Sequence, residues 1–415
     1  MKKYSIVGVL LLGACTDAKT SALNLMPEAS ETYAQIVLSS YEDSLSTAQS
    51  MDSALSALIS GPSDSTMTAA RNSWLDSREP YLQTEVYRFY EGPIDNEEGP
   101  EGLLNAWPMD ESYVDYTRGQ MGLNMTGIVN DTSVTIDGST LESLNEQGGE
   151  ENIATGYHAI EFLLWGQDFS DEDPGNRSYT DYVDRGDAGT FGCYNMTTHV
   201  VDCVAMAEAE CADGDVWAPD ACPGNADRRG LYLTEASTLL TGHLSSLVDD
   251  WTADSENYRS TFAAMSSDEQ LTKILTGMIV LSGFETGGER LQTALDTGDQ
   301  EDEHSCFSDN THRDMVQDVQ GIQNVYLGTY GSVSGTSIKD VVATFDAEIA
   351  DRLEIEIQAS LDAANALQVP FDNEIAAGNT DGNERVQALI TALRTQEKTM
   401  EEVFRGFGFA VPAPE

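Results

Sequence analysis

Apolar side chains recur every three or four residues along most of this chain of 415 residues. Residues 28–60, 228–251, 338–367 and 381–404 each keep this spacing over several turns. Because the spacing places apolar side chains on one face of a helix, each segment predicts an amphipathic helix. A βαβ pattern is not found, so the sequence predicts an all-α protein. A further helix is expected from residue 64 to residue 90, with a kink at Pro80.

A strongly apolar run at residues 156–168 contains a histidine and a carboxylate, His158 and Glu161. Residues three apart share one face of a helix, so the two side chains can converge on one cation. A neutral imidazole would satisfy only one carboxylate oxygen, and this favours a metal ion bound by both residues, with Arg88 or Tyr157 orienting them. The alternative is a hydrogen-bonded pair that only stabilises a helical core. Metal affinity is expected to weaken below about pH 6.5, the ordinary histidine value.

The spacing around His158 does not match the known zinc-peptidase motifs. H-E-x-x-H is absent, and H-x-x-E-H fails because Phe162 occupies the position of the second histidine. No third ligand stands at a recognised spacing from His158, and no G-x-S-x-G or Walker or Rossmann glycine motif occurs. We therefore expect no peptidase activity, and a metallopeptidase remains the enzymatic alternative.

The motif Gly156-x-His158-x-x-Glu161 resembles the signature of the imelysin-like family. Four other blocks resemble the iron-regulated protein A branch of that family, in the same order along the chain: residues 87–95, 98–108, 283–290 and 301–312. The resemblance implies two related helical bundles, with the motif helix lining a cleft. It also implies a role in iron acquisition, with iron as the metal.

Two further groups of polar residues are candidates for the same site. Glu85 and Arg88 stand three apart among apolar neighbours, and Glu285 and Glu289 share a helix face beside Arg290. Several glycines between residues 277 and 288 cost helix stability and indicate a close backbone approach or an irregular turn. The three glutamates are predicted metal ligands, and the two arginines are predicted to contact the ligand.

An acidic loop at residues 299–304 ends in His304, a further predicted metal ligand. Asp302 and Glu303 precede it and are predicted to contact the ligand. Oxygen ligands with a histidine suit iron, manganese, calcium or zinc. Asp309 is predicted to cap a helix over residues 310–327. Whether the ligand is the ion itself, a siderophore or haem is left open.

The first residues predict export. Residues 1–14 have two lysines and a short apolar run, and Cys15 follows as the residue that a lipoprotein signal would leave lipidated at the N-terminus. Residues 15–27 are expected to form a tether. The sequence therefore predicts an exported lipoprotein, anchored at the outer membrane, its periplasmic face or the cell surface.

Charge limits the partners of the exported body. The chain has 21 lysines and arginines against 71 aspartates and glutamates, a formal net charge of -50. Phosphate contacts need clustered basic residues, so nucleic-acid binding is excluded. A metal ion, an iron complex or an outer-membrane uptake protein remain as partners.

Four cysteines fall in a glycine- and aspartate-rich insertion between the helical halves: Cys193, Cys203, Cys211 and Cys222. In an exported protein this pattern predicts two disulfides, whose pairing is open among three arrangements. A sixth cysteine, Cys306, is expected in a separate state, as a buried thiol, a metal ligand or a partner of an insertion cysteine.

The sequence thus predicts two helical-bundle halves, residues 28–226 and 227–412, with a disulfide-bearing loop insertion. Three functions are consistent with it. The first is a metal-binding lipoprotein of iron acquisition, the second a metal-free module that binds a ligand or partner at the cell surface, and the third a zinc-type metallopeptidase.

Overall fold

The computed structural model describes residues 17–119, 122–184 and 224–411, and the backbone of 191–195, 201–204 and 215–219. The all-α prediction is confirmed, because every long element is a helix. The first half of the chain contains α1 (Met26–Ser60), α2 (Asp64–Leu82), α3 (Glu101–Leu104), α4 (Glu111–Val114), α5 (Gly138–Leu144) and α6 (Gly156–Trp165).

The second half begins with the long helix that follows the insertion. It contains α7 (Ala226–Trp251), α8 (Tyr258–Ala264), α9 (Ser267–Ile279), a π-helix (Val280–Arg290), α10 (Leu291–Thr297), α11 (Thr311–Leu327), α12 (Ile338–Phe345), α13 (Ala347–Ala364), α14 (Phe371–Ile375) and α15 (Thr380–Gly406). Short 3-10 turns lie at Glu85–Tyr87, Tyr179–Tyr182 and Gln300–Asp302.

The strands are short and belong to three small antiparallel sheets. A hairpin pairs β1 (Thr117–Gly119) with β2 (Gly122–Asn124), and another pairs β6 (Thr329–Tyr330) with β7 (Val333–Ser334). In the insertion, β3 (Phe191–Asn195) lies between β4 (Val201–Val204) and β5 (Asp215–Pro219). Cys211 and Cys222 lie outside the described residues, as do the side chains of Cys193 and Cys203, so the two disulfides stay a prediction.

Two groups of packed helices surround the polar residues of interest. In one, α1 packs against α2 and α7, and α6 packs against the same two helices. In the other, α15 packs against α13 and the π-helix, and α11 packs against α13. Contacts between α11 and α2 join the groups. Helix α7 begins at residue 226, where the sequence analysis placed the boundary between the two halves, yet it packs on α1 of the first half. The packing does not show this boundary, and the division into residues 28–226 and 227–412 stays a prediction.

The helical body begins before the predicted tether ends. Residues 17–23 are helical, Ala22 is fully buried, and Lys19 donates a hydrogen bond to the Phe407 carbonyl at 2.6 Å. Cys15 lies outside the described residues, so the lipid anchor stays a prediction. No described helix combines the length and apolar character that a membrane crossing requires.

The expected helix over residues 64–90 is corrected by the structure, because α2 ends at Leu82, two residues after Pro80. The following segment turns into the 3-10 helix Glu85–Tyr87 and is held between two glycines. A side chain at Gly277 of α9 would collide with the Val86 carbonyl, and one at Gly321 of α11 with the Gln83 carbonyl. The close approach that the glycine-rich segment predicted is confirmed, and it fixes the position of Glu85.

Candidate metal centre

Helix α6 places His158 and Glu161 in the protein core. All ten of its residues are buried, including the histidine and the glutamate. Gly156 begins the helix with a φ of +81°, close to the Leu104 carbonyl, where a side chain would collide. The run of apolar residues therefore forms a core helix, and its two polar groups depend entirely on protein partners or a ligand.

The two side chains meet, since His158 Nδ1 lies 2.9 Å from Glu161 Oε2. The second oxygen of Glu161 is also satisfied, because it accepts hydrogen bonds from the Ser308 backbone N–H at 3.0 Å and hydroxyl at 2.6 Å. This corrects the argument that an imidazole alone would leave one carboxylate oxygen unpaired. The unsatisfied atom is instead on the imidazole: His158 Nε2 is buried and has no hydrogen-bond partner.

A second histidine–carboxylate pair lies beside the first. His304 Nδ1 is 2.6 Å from Asp314 Oδ2 on α11, and the two histidine rings meet edge to face with centroids 5.0 Å apart. The Ser305 hydroxyl donates to Asp314 at 2.5 Å, and Arg78 forms an ion pair with the same carboxylate at 3.2 Å. The structure thus brings together three predicted ligands, His158, Glu161 and His304.

Electrostatics keep both imidazoles neutral. Burial, followed by the charge of Arg78, lowers the pKa of His158 well below its ordinary value. Burial and the charge of Arg290 lower the pKa of His304 to about 3. A neutral imidazole that donates one N–H to an ionised carboxylate presents a lone pair on its other nitrogen, which is the usual form of a metal-binding histidine. His304 faces the ionised Asp314, whereas His158 takes this form only once Glu161 has lost its proton.

The two carboxyl groups of these pairs differ in protonation. Burial raises the pKa of Glu161 to about 8, against the hydrogen bonds from Ser308. Burial also pushes the pKa of Asp314 up, but the charge of Arg78 and the hydrogen bond from His304 outweigh it, so this pKa falls far below its ordinary value. Asp314 is therefore ionised at pH 7, whereas Glu161 holds a proton in the metal-free protein.

A cluster of arginines and carboxylates adjoins the histidines. Glu85 accepts from Arg88 at 2.7 Å and from Arg290 at 2.5 Å, and Arg290 also contacts Glu285 at 2.9 Å and Asp318 at 3.0 Å. The charges of Glu85 and Arg290 both act on the pKa of His158, so the cluster is close to the pair. Glu85 and Glu285 are thus near the centre, but their hydrogen bonds go to arginines.

The remaining predicted residues lie outside this arrangement. Glu289 is exposed, and Asp302 is half-buried in the 3-10 turn Gln300–Asp302. The Tyr157 hydroxyl hydrogen-bonds to Ser77 at 2.9 Å rather than to Glu161. Glu303 is fully buried but faces a different group of carboxylates.

Asp309 does not cap α11, which corrects that prediction. The N-cap residue is Asn310, without a side-chain cap hydrogen bond, and Asp309 precedes it with a φ of +56°. Cys306 is a buried free thiol, one of the three states expected for it.

Sequence reasoning missed the residues that orient the two histidines: Asp314, Ser308 and Arg78. Asp314 lies ten positions after His304 and Ser308 lies 147 after Glu161, so no helical spacing connects the partners. The signal that could have found Asp314 is the pair Asn310 and Asp314, four apart on a polar helix start, where the Asn310 amide donates to the carboxylate at 3.1 Å.

The fold and the buried G-x-H-x-x-E helix define a class of all-α proteins with a buried histidine–carboxylate pair. The sequence profile of the imelysin family, which is named as a peptidase family, matches residues 37–400. The chain therefore belongs to the imelysin family.

Individual relatives agree with this assignment. Iron-regulated protein A of Synechococcus elongatus is 23% identical over 378 residues, which cover 88% of this chain and 82% of that protein. The crystal structure of an iron-regulated protein A precursor from Parabacteroides distasonis shares the fold with a TM-score of 0.66 at 18% identity, covering 92% of this chain and 95% of that one. An imelysin-like protein from Psychrobacter arcticum matches with a TM-score of 0.56 at 10% identity, covering 96% and 98%.

Proposed function

We propose that this protein binds an iron ion as cargo between His158 and His304, in iron acquisition at the cell envelope. The observation that carries the proposal is the unpartnered Nε2 atom of His158, buried beside a second neutral imidazole at 5.0 Å between ring centroids. A buried polar atom without a partner costs free energy that a bound ion would remove. Imidazole nitrogens are ligands that suit iron.

Glu161 has a different role in this proposal from the one that its spacing suggests. Both of its oxygens are already engaged, one with His158 and the other with Ser308. The carboxylate therefore orients the imidazole rather than coordinating the ion, and Asp314 does the same for His304. Such carboxylate partners fix the tautomer of a ligating histidine and make it more basic.

The charges of the surroundings favour a cation over an anionic ligand. Three arginines belong to the histidine–carboxylate pairs and to the adjoining cluster around Glu85. Each is paired with a carboxylate: Arg78 with Asp314, Arg88 with Glu85 and Arg290 with Asp318. Further carboxylates, from Glu101 and Glu285, contact the same arginines. These residues thus include more carboxyl groups than guanidinium groups. Burial raises the pKa of Asp318 to about 7 and also raises the pKa of Glu101, so part of this surplus is negative at pH 7 and attracts positive charge.

Iron is proposed as the cation because the relatives from Synechococcus elongatus and Parabacteroides distasonis are named for regulation by iron. The envelope location rests on the lipoprotein signal predicted for residues 1–14, which directly precede Cys15. The same geometry gives a peptidase no support, since a carboxylate with both oxygens engaged is poorly placed to take a proton from an attacking water.

The test is an anaerobic titration of the EDTA-treated, untagged chain with ferrous ion, repeated with manganous and zinc ions. We expect one ion per chain and a loss of affinity of at least about 100-fold in His158→Ala and in His304→Ala, since even an outer-shell partner contributes 10–100-fold. X-ray absorption of the iron-loaded wild type should show imidazole nitrogen ligands.

A matched control is available in the half-buried His243 of α7, which also faces a glutamate, with its Nε2 atom 3.3 Å from Glu142 Oε1. His243→Ala should bind iron like the wild type. Unchanged iron affinity in His158→Ala and His304→Ala, with native circular dichroism, would show that the two histidines are structural.

A further inference from the structure

Four buried carboxyl groups meet at a place distinct from the two histidines. Asp168 follows α6, Asp309 precedes α11, and Asp372 lies on α14. One carboxylate oxygen of each lies within 4.8 Å of the others. Glu303 joins them, since its carboxyl group lies against that of Asp372 and its charge interacts with Asp309.

These carboxyl groups lie against one another, Asp168 beside Asp309 and Glu303 beside Asp372, and few other hydrogen-bond donors reach them. Both oxygens of Glu303, Asp309 and Asp372 and one oxygen of Asp168 are buried without a hydrogen-bond partner. Glu303 is fully buried, and the three aspartates are 4–5% exposed. Within the part of the chain that the structure describes, none of the four forms an ion pair with a lysine, an arginine or a histidine.

These four buried carboxyl groups cannot all be ionised unless a positive charge lies nearby. Burial, with the charges of the neighbouring carboxylates, raises the pKa of Asp168 to about 7 and that of Asp309 to about 9. Buried charges in proteins are normally paired with an opposite charge or coordinate a metal. The chain has few basic residues to supply, with 21 lysines and arginines against 71 acids.

We propose that Asp168, Glu303, Asp309 and Asp372 bind a calcium ion. The ligands are all oxygen atoms, which hard cations prefer, and carboxylates that bind through one or both oxygens can supply the six to eight contacts that calcium takes. Magnesium fits less well, because it retains several water molecules and the aspartates are almost closed to solvent.

The ion would join three segments that are distant in sequence. It would connect the end of α6, the loop of residues 303–309 and α14 in the second half of the chain. Glu303 directly precedes His304, and Asp309 directly follows Ser308, so bound calcium would fix the loop that carries both residues. This consequence for the histidines rests on the proposed function, whereas calcium binding itself does not.

Calorimetric titration of the EDTA-treated full chain with calcium chloride tests the site. We expect one calcium per chain in the wild type and a loss of affinity of at least about tenfold in Asp372→Asn and in Asp309→Asn. The melting temperature of the wild type should rise by about 5 °C when calcium is about 100 times its dissociation constant. Magnesium at the same concentration should give a smaller rise.

Two controls separate this result from folding defects and from the iron site. Asp381→Asn changes an exposed aspartate on α15 and should bind calcium like the wild type. His158→Ala should also keep its calcium affinity, so loss of iron binding leaves this test intact. The asparagine variants remove repulsion and should fold without calcium, which circular dichroism would verify.

Three outcomes would overturn the proposal. The first is that the wild type shows neither binding heat nor a thermal shift at a calcium concentration about ten times the millimolar dissociation constants of weak extracellular calcium modules. The second is that Asp372→Asn binds calcium with the same affinity as the wild type. The third is that magnesium raises the melting temperature as much as calcium does.

Discussion

His158 and His304 are alike in how they are held, but their carboxylate partners differ in charge. Asp314 is stabilised as an anion by Arg78, at 3.2 Å, whereas Glu161 receives only the Ser308 hydrogen bonds and the imidazole. In the metal-free state the proton therefore rests on Glu161. Coordination through Nε2 of His158 requires its Nδ1–H to be donated to an ionised carboxylate, so binding must release that proton.

The pH dependence of the proposed iron binding follows from the pKa of Glu161, which burial raises to about 8. Below this pH one proton must leave on binding, and we expect the apparent affinity to fall about tenfold for each pH unit from 8 to 6. His158 does not titrate in this range, because its pKa lies well below the ordinary value. The dependence is thus expected at a higher pH than the 6.5 that an isolated histidine would give.

Titrations at several pH values and in two buffers with different ionisation enthalpies would measure both the affinity and the proton release. Glu161→Gln cannot release the proton, so its affinity should be flat from pH 6 to 8, and lower than that of the wild type at pH 8 by about 10–100-fold. A wild-type affinity that stays constant down to about pH 6.5 would contradict the argument.

Local sequence patterns singled out His158, Glu161 and His304 as candidate ligands, because a histidine or carboxylate in an apolar or acidic run is locally conspicuous. It could not identify Ser308 or Asp314, since both act through contacts that only the packed structure creates. Local patterns report which groups need a partner, whereas tertiary packing decides which partner they receive.

At the scale of elements, two helices with glycines at the point of contact hold the segment that bears Glu85. The Val86 carbonyl lies against Gly277 of α9, and the Gln83 carbonyl lies against Gly321 of α11. The glycines in the sequence indicated this close approach. The glycines did not predict that α2 ends at Leu82 or that residues Val280–Arg290 form a π-helix. Both features depend on packing against neighbouring helices, which the local sequence does not specify.

Gly277→Ala should therefore destabilise the protein. The added methyl group would meet the Val86 carbonyl, a backbone atom that cannot rotate away, and overpacking of this kind costs about 1–3 kcal/mol. The displaced turn would also move Glu85 away from Arg88 and Arg290, to which it is bound in the structure. Urea unfolding followed by circular dichroism measures the change in the free energy of unfolding.

Gly242→Ala is the matched control, since Gly242 is an exposed glycine on α7 whose methyl group would meet no neighbouring side chain or helix. There the substitution should stabilise by about 1 kcal/mol, the difference in helix propensity between alanine and glycine. If Gly277→Ala stabilised the protein as Gly242→Ala is expected to, the contact with the Val86 carbonyl would not be the reason for the glycine.

At the scale of the whole molecule, acidic residues far apart in the sequence are brought together inside it. Asp168, Asp309 and Asp372 come from three segments, and no motif in the sequence links them. The composition indicated an acidic surface, but not that carboxyl groups would be buried together without basic partners. Helical periodicity was sufficient for the all-α class, whereas this convergence depends on how the two groups of helices pack.

The buried carboxyl groups should make the stability of the calcium-free protein fall as pH rises from 7 to 9. The folded protein holds protons on Asp168, Glu161 and Asp309, whose pKa values are raised by burial to about 7, 8 and 9. The unfolded chain has already lost these protons above about pH 5. Because the folded state binds more protons in this window, raising the pH favours unfolding. The lowered pKa values of His158 and His304 act only below about pH 6.5 and do not oppose the trend.

Thermal unfolding in EDTA at pH 7, 8 and 9 would show the trend as a falling melting temperature. Saturating calcium should reduce the fall, since carboxylates that bind a cation are ionised in the folded state and have no proton left to lose. Asp309→Asn should reduce it as well, because the group with the highest of the three pKa values is gone, whereas Asp381→Asn on the surface should not. A melting temperature that stays level or rises from pH 7 to 9 in EDTA would mean that these carboxyl groups are already compensated in the calcium-free fold.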